Sequence, residues 1–187
     1  MVASYREVLD FWFDEDNIPL QFNGGVEFDE LIREKFLTTW EKASEGLLMD
    51  WRDTIEGRLA EVIVLDQFSR NLWRDDIRTY TQDKMAIALS QEAVRHPEYE
   101  SLSPEKRKFF LLPFMHSESL ELHEWAYPLF EALEDERTLY FEDLHLEVLR
   151  KFGRYPYQNE DLGRESTPEE LEALRIAKEE GGFYANK

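Results

Sequence analysis

Apolar residues recur at helical spacing through nearly the whole of this 187-residue chain. No run of four or more residues alternates strictly and is rich in Val, Ile and Thr, as a strand would require. In FDELIREKFLTTWEKASEGLL, Phe28, Leu31, Ile32, Phe36, Trp40, Ala43 and Leu47 fall on one stripe, while Glu30, Arg33, Glu34, Lys35 and Glu41 mostly occupy the other side. That pattern predicts an amphipathic helix of about five turns, with Gly46 marking its frayed end.

The same period predicts helices over 4–13, 54–73, 81–96, 103–114, 118–133, 138–152 and 167–180. Two starts are explicit: Ser103 before Pro104, and Thr167 before Pro168 with acidic residues behind it, place a capping oxygen ahead of a proline at the first helical position. About eight helices with short connections predict an all-α fold of stacked antiparallel hairpins, expected as a single domain over residues 1–187. The stretch PLQFNGGVEFDE reads as a loop, and the closing GGFYANK as a loose end unless Phe183 and Tyr184 dock.

Charge narrows the partners. Lys and Arg total 22 against 41 for Asp and Glu, a formal net charge of -19. Such a surface repels phosphate backbones and anionic headgroups, so neither nucleic acid nor membrane is expected as a partner. Cysteine is absent, which excludes disulfides and thiolate chemistry. The amino terminus lacks the basic start and apolar run of a signal peptide, so the cytoplasm is the expected compartment. Neither a metal site nor a cofactor is expected, there being no HExxH and no compact histidine–carboxylate cluster. Aromatics make up 14% of the chain, enough to furnish a dimer patch.

Three places put polar chemistry against the core. In GRLAEVIVLDQFSRNLWR, apolar residues cover two sides of the helix, so it should lie buried between layers. Asp66 and Arg70 share one of those faces at i, i+4, in the order that favours an ion pair. They read either as an internal strut or as a holder that presents the Arg70 fork to an anion. In LPFMHSESL, Pro113 ends or kinks one helix and another starts near Ser117, which sets His116 and Glu118 at a junction. His116 reads as a general acid or base oriented by Glu118, or as a core histidine beside a cap. His123 would share a face with His116 only across an unbroken helix.

The third place is KFGRYPYQNEDLGRESTPEE. From Arg150 to Arg164 four basic residues stand against two acidic ones, whereas Glu118–Glu147 holds one against ten. Gly153 can close the preceding helix in a left-handed conformation and Pro156 stiffens the turn, so Arg154 is expected in a fixed frame as an anion receptor. The capped helix after LGREST offers its amino terminus to an anion as well.

Five segments in order, VLDFWF, FDELIREKF, LDQFSRNLWR, LPFMHSESL and FGRYPYQNEDLGRESTPEE, resemble the successive signatures of a bacterial family catalogued as domain of unknown function 924. The resemblance spans nearly the whole chain and implies a TPR-like helical fold without an established activity. Asp66, Arg70, Asn71, His116, Glu118, His145, Arg154, Asn159, Gly163, Arg164 and Glu165 match its pattern, which adds His145 to the candidate proton-transfer groups and Asn71, Asn159 and Glu165 to the candidate ligand contacts. Ser69 stands where the pattern has proline, Tyr157 and Gln158 where it has His and Arg, and His123 and Trp125 where it has Gln and Arg. No role needing that loop His and Arg carries over.

Two functional readings follow. In one, Arg70, Arg154 and Arg164 meet around a small anion, a carboxylate or phosphate, with His116, Glu118 or His145 moving protons. In the other, TPR-like helix pairs form an interaction module whose arginines clamp a peptide carboxylate.

Overall fold

The structure, a computed structural model, describes residues 1–180, and the terminal GGFYANK lies outside them. Among the described residues the fold is all-α, with no strand. The elements are α1 (Tyr5–Trp12), α2 (Gly25–Ser44), α3 (Ile55–Ile63), a π turn (Val64–Phe68), α4 (Ser69–Leu72), α5 (Asp83–Ala93), α6 (Pro104–Met115), α7 (Leu120–Glu131), α8 (Glu136–Phe152) and α9 (Pro168–Glu180), with short 3₁₀ turns between them. None of the described helices is long and apolar enough to cross a membrane.

The chain clusters into two compact units, one of Met1–Arg74 with Arg78–Pro113, the other of Asp75–Ile77 with the chain from Phe114 onward. In the first, α1 packs on α3, and α2 on the π turn and α4. Trp12 is fully buried, with the rings of Phe68 and Phe109 edge-on to it at 5.5 and 5.7 Å, and Phe36 stacks on Phe68 at 5.0 Å. Leu59 through Ser69 are all buried, as a helix apolar on two sides requires. The predicted helix 54–73 is there, capped by the Thr54 hydroxyl accepting from the Gly57 N–H, but one turn is wound wider as π.

In the second unit α7 and α8 form a helical hairpin. Asp135 caps α8 by accepting from the N–H groups of Arg137 and Thr138. Gly153 closes that helix at φ 70°, as its position after the last apolar residue predicts. The chain then turns through Tyr155 into a 3₁₀ turn, Pro156–Gln158, on which α9 packs. Pro113 does not end its helix: α6 continues to Met115, and α7 starts from Ser119, whose hydroxyl accepts from the Leu122 N–H.

Candidate functional site

In the first unit Asp66 and Arg70 form the ion pair their spacing predicts, at 3.0 Å. Asp66 is fully buried, and its second oxygen accepts from Gln67 at 2.5 Å. The Arg70 fork is closed from the other side by Asp83, which takes Nη1 and Nη2 at 3.0 and 3.2 Å. Asn71 donates to buried Asp29, which also receives Arg74. Ser69 donates to the Leu65 carbonyl and accepts from the Trp40 indole at 2.8 Å, so it fills its place with two side-chain bonds.

The second unit gathers more. His116, Glu118, His145 and Arg164 come from the α6–α7 turn, α8 and the loop ahead of α9; the last three meet on one residue, fully buried Tyr155, and His116 stands against His145. Glu118 accepts the Tyr155 N–H at 2.7 Å and the two Arg164 Nη groups at 2.7 and 2.8 Å. Arg164 Nη2 also donates to the Tyr155 carbonyl at 3.3 Å, and its buried Nε–H has no hydrogen-bond partner among the described residues. The His145 ring stands edge-on to Tyr155 at 5.4 Å and to His116 at 6.3 Å, while Tyr157 stacks on Tyr155 at 5.4 Å. His145 Nδ1 lies 2.7 Å from the Phe141 carbonyl, which can only accept, so Nδ1 is the donor in this contact.

Behind Tyr155 runs a buried polar chain that sequence reasoning missed. His123 and Glu142 are both fully buried, with Nδ1 and Oε1 2.5 Å apart. His123 Nε2 lies 2.8 Å from the Ser117 carbonyl and 3.1 Å from the Tyr155 hydroxyl, which itself donates to the Met115 carbonyl at 2.8 Å. A carbonyl cannot donate, so Nε2 bears a proton, and a second proton is shared between Nδ1 and the carboxylate. Glu142 Oε2 is buried with no hydrogen-bond partner among the described residues. The signal was available: Thr138, Glu142, His145 and Leu149 repeat at i, i+4, i+7 and i+11, so a carboxylate sits on the apolar stripe of α8. His123, Ala126 and Phe130 do the same on α7.

Arg154 faces another carboxylate. Its Nε and Nη2 donate to Glu170 at 2.6 and 2.8 Å, and Nη2 also to the Glu165 carbonyl. Asn159 donates to Ser166 and to Glu170 Oε2. The Glu170 contact holds the Arg154 guanidinium above its ordinary pKa, and Glu118 adds to the effect. Arg70, Arg154 and Arg164 are therefore each answered by carboxylates of their own, and an external anion at any of them competes with an internal one. Glu118, expected to orient His116, takes Arg164 and the Tyr155 N–H.

The comparisons with known proteins agree with this architecture. A family model described as bacterial protein of unknown function, domain of unknown function 924, matches residues 8–178. A solved structure of a protein of unknown function from Agrobacterium tumefaciens is similar at 31% identity and a TM-score of 0.86, covering 91% of this chain and 96% of its own. Among curated proteins none matches.

Proposed function

Because this chain belongs to the bacterial family of domain of unknown function 924, whose description assigns no activity, we propose a function from the geometry alone: its second unit binds a small molecule through a carboxylate or phosphate. Arg164 anchors the anion, and His116 and His145 flank it. One observation carries this reading: three candidate residues, as far apart in sequence as Glu118 and Arg164, gather on the single residue Tyr155, and His116 stands edge-on to one of them, His145. The Arg164 side chain keeps 24% of its surface exposed, and that exposed part is where an entering anion would meet it. His145 stands edge-on to Tyr155, the residue whose carbonyl Arg164 reaches, and is the group assigned to proton transfer with the bound molecule.

Glu118 is the competitor, since it already holds both Nη groups of Arg164. The test is therefore a pair of variants screened against metabolite carboxylates and phosphates by thermal shift. A ligand at 100 times its Kd stabilises the wild type by about 2.7 kcal/mol. Arg164→Ala should abolish that shift, and Glu118→Gln, which removes the competing charge, should reach it at lower ligand concentration. A shift that survives Arg164→Ala, or one that Glu118→Gln leaves unchanged, refutes the assignment.

A further inference from the structure

The start of α9 holds a second anion cradle, built on Arg154 instead of Arg164, and the chain itself shows what fits it. Four donors converge on the Glu170 carboxylate: Arg154 Nε at 2.6 Å, Arg154 Nη2 at 2.8 Å, the Thr167 N–H at 2.8 Å and Asn159 Nδ2 at 3.3 Å. Glu170 is 2% exposed and Asn159 1%. Part of this is an ordinary capping box, since Glu170 N–H donates back to the Thr167 hydroxyl at 3.2 Å. A capping box needs only Thr167 and Glu170, however. The guanidinium fork and the Asn159 amide add the planar, bidentate recognition that carboxylates receive at binding sites.

What Glu170 fastens is a lightly packed element. Along α9, of the side chains described, only Glu170 and Ala177 are buried, while Leu171 is 56% and Ile176 39% exposed. The helix packs on the 3₁₀ turn Pro156–Gln158. A strap held chiefly by one ionic plug is one an external anion can displace, provided it overcomes the millimolar effective concentration of a tethered group.

We propose that Arg154, Asn159 and the Thr167 N–H form a carboxylate-binding site that α9 occupies in cis through Glu170, and that a carboxylate ligand entering it releases α9. The exchange is a swap of one carboxylate for another: no bond breaks, and the cradle keeps its charge. Buried Asn159 Oδ1 has no partner among the described residues, so the cradle also has an acceptor for a donor group on the guest, such as an α-hydroxyl.

The probe is acetate, with chloride at matched ionic strength to remove screening effects. In the full-length Glu170→Ala variant, acetate should raise Tm at a concentration about ten-fold or more below that needed in the wild type, because the tethered competitor is gone. Arg154→Ala in that background should cancel the gain and return the response to the wild-type concentration, whereas Arg164→Ala, which removes the anion anchor proposed above, should leave the gain of about ten-fold in place, which separates the two sites. In the wild type, acetate should accelerate amide exchange across α9 while leaving α8 unchanged. Should Glu170→Ala fail to fold, Glu170→Gln keeps the side chain and loses its charge, and acetate should speed α9 exchange there at lower concentration than in the wild type. Equal responses to acetate and chloride, or a gain from Glu170→Ala that persists without Arg154, overturn the proposal and leave a helix cap.

Discussion

At the scale of single residues, the His123–Glu142 pair is the most consequential contact in the second unit. Both side chains are fully buried and 2.5 Å apart, and one carboxylate oxygen has no partner among the described residues. Removing one member of a buried hydrogen-bonded pair leaves the other unsatisfied, so Glu142→Ala should cost about 1–3 kcal/mol. Urea denaturation of the two proteins measures it, and a change within about 0.5 kcal/mol, usual for a surface substitution, would contradict the burial. Tyr155→Phe removes only a hydroxyl and should cost less. This pair also marks where reading residues in sequence stopped short. The i, i+4 spacing of Asp66 and Arg70 lies within one helix and was legible. Glu142 meets His123 across a hairpin, 19 positions away, and only their places on apolar stripes hinted that they needed each other. Asp83 and Glu170 were illegible in the same way: an arginine declares that it wants an anion, and only the fold names which.

At the scale of elements, helix positions were legible almost throughout, because period, caps and prolines are local. Gly153, Ser119 and the Thr167–Glu170 box act through neighbours within a few residues. The π turn at Val64–Phe68 was not legible: an extra residue wound into one turn leaves the apolar pattern intact on both sides of it. Pro113 reads as ending or kinking its helix, yet α6 runs two residues past it: the ring forgoes the bond to the Phe109 carbonyl, one turn back, without stopping the chain from continuing. Two glycines test what these elements depend on. A β-carbon at Gly153 would meet nothing within 4 Å, so Gly153→Ala pays only for left-handed backbone, about 1 kcal/mol. At Gly57 it would lie 1.9 Å from the Trp51 carbonyl oxygen, forcing α3 away from the preceding 3₁₀ turn. Gly57→Ala should therefore cost more, about 3 kcal/mol, despite alanine's better helix propensity. Thermal melts rank the two, and the reverse order would mean that α3 and that turn are not in contact.

For the whole molecule, the net charge of -19 sets how stability responds to acid. As pH falls, protonation relieves general repulsion among carboxylates, and this effect stabilises. Glu170 works in the opposite sense. Hydrogen bonding from Arg154 holds its carboxyl at about 2, against an ordinary 4.5. Its folded pKa lies below the unfolded one, so its contribution is complete above about pH 4.5 and drains away as pH falls toward 2. Glu170→Gln should accordingly be less stable than the wild type near pH 7, and the gap should narrow by about pH 3. Guanidinium unfolding at both pH values checks this, and a gap that stays constant would show that the arginine contact does not perturb the carboxyl.

The three residues Asp75–Ile77 cluster with the unit that resumes at Phe114, although they are flanked on both sides by the other one. The backbone therefore passes from one unit to the other three times. No single cut yields two complete halves: a fragment beginning at Phe114 would be missing a piece of itself, and its counterpart would carry a foreign insert. An experimenter dividing the polypeptide must transplant the tripeptide or expect an unsound product.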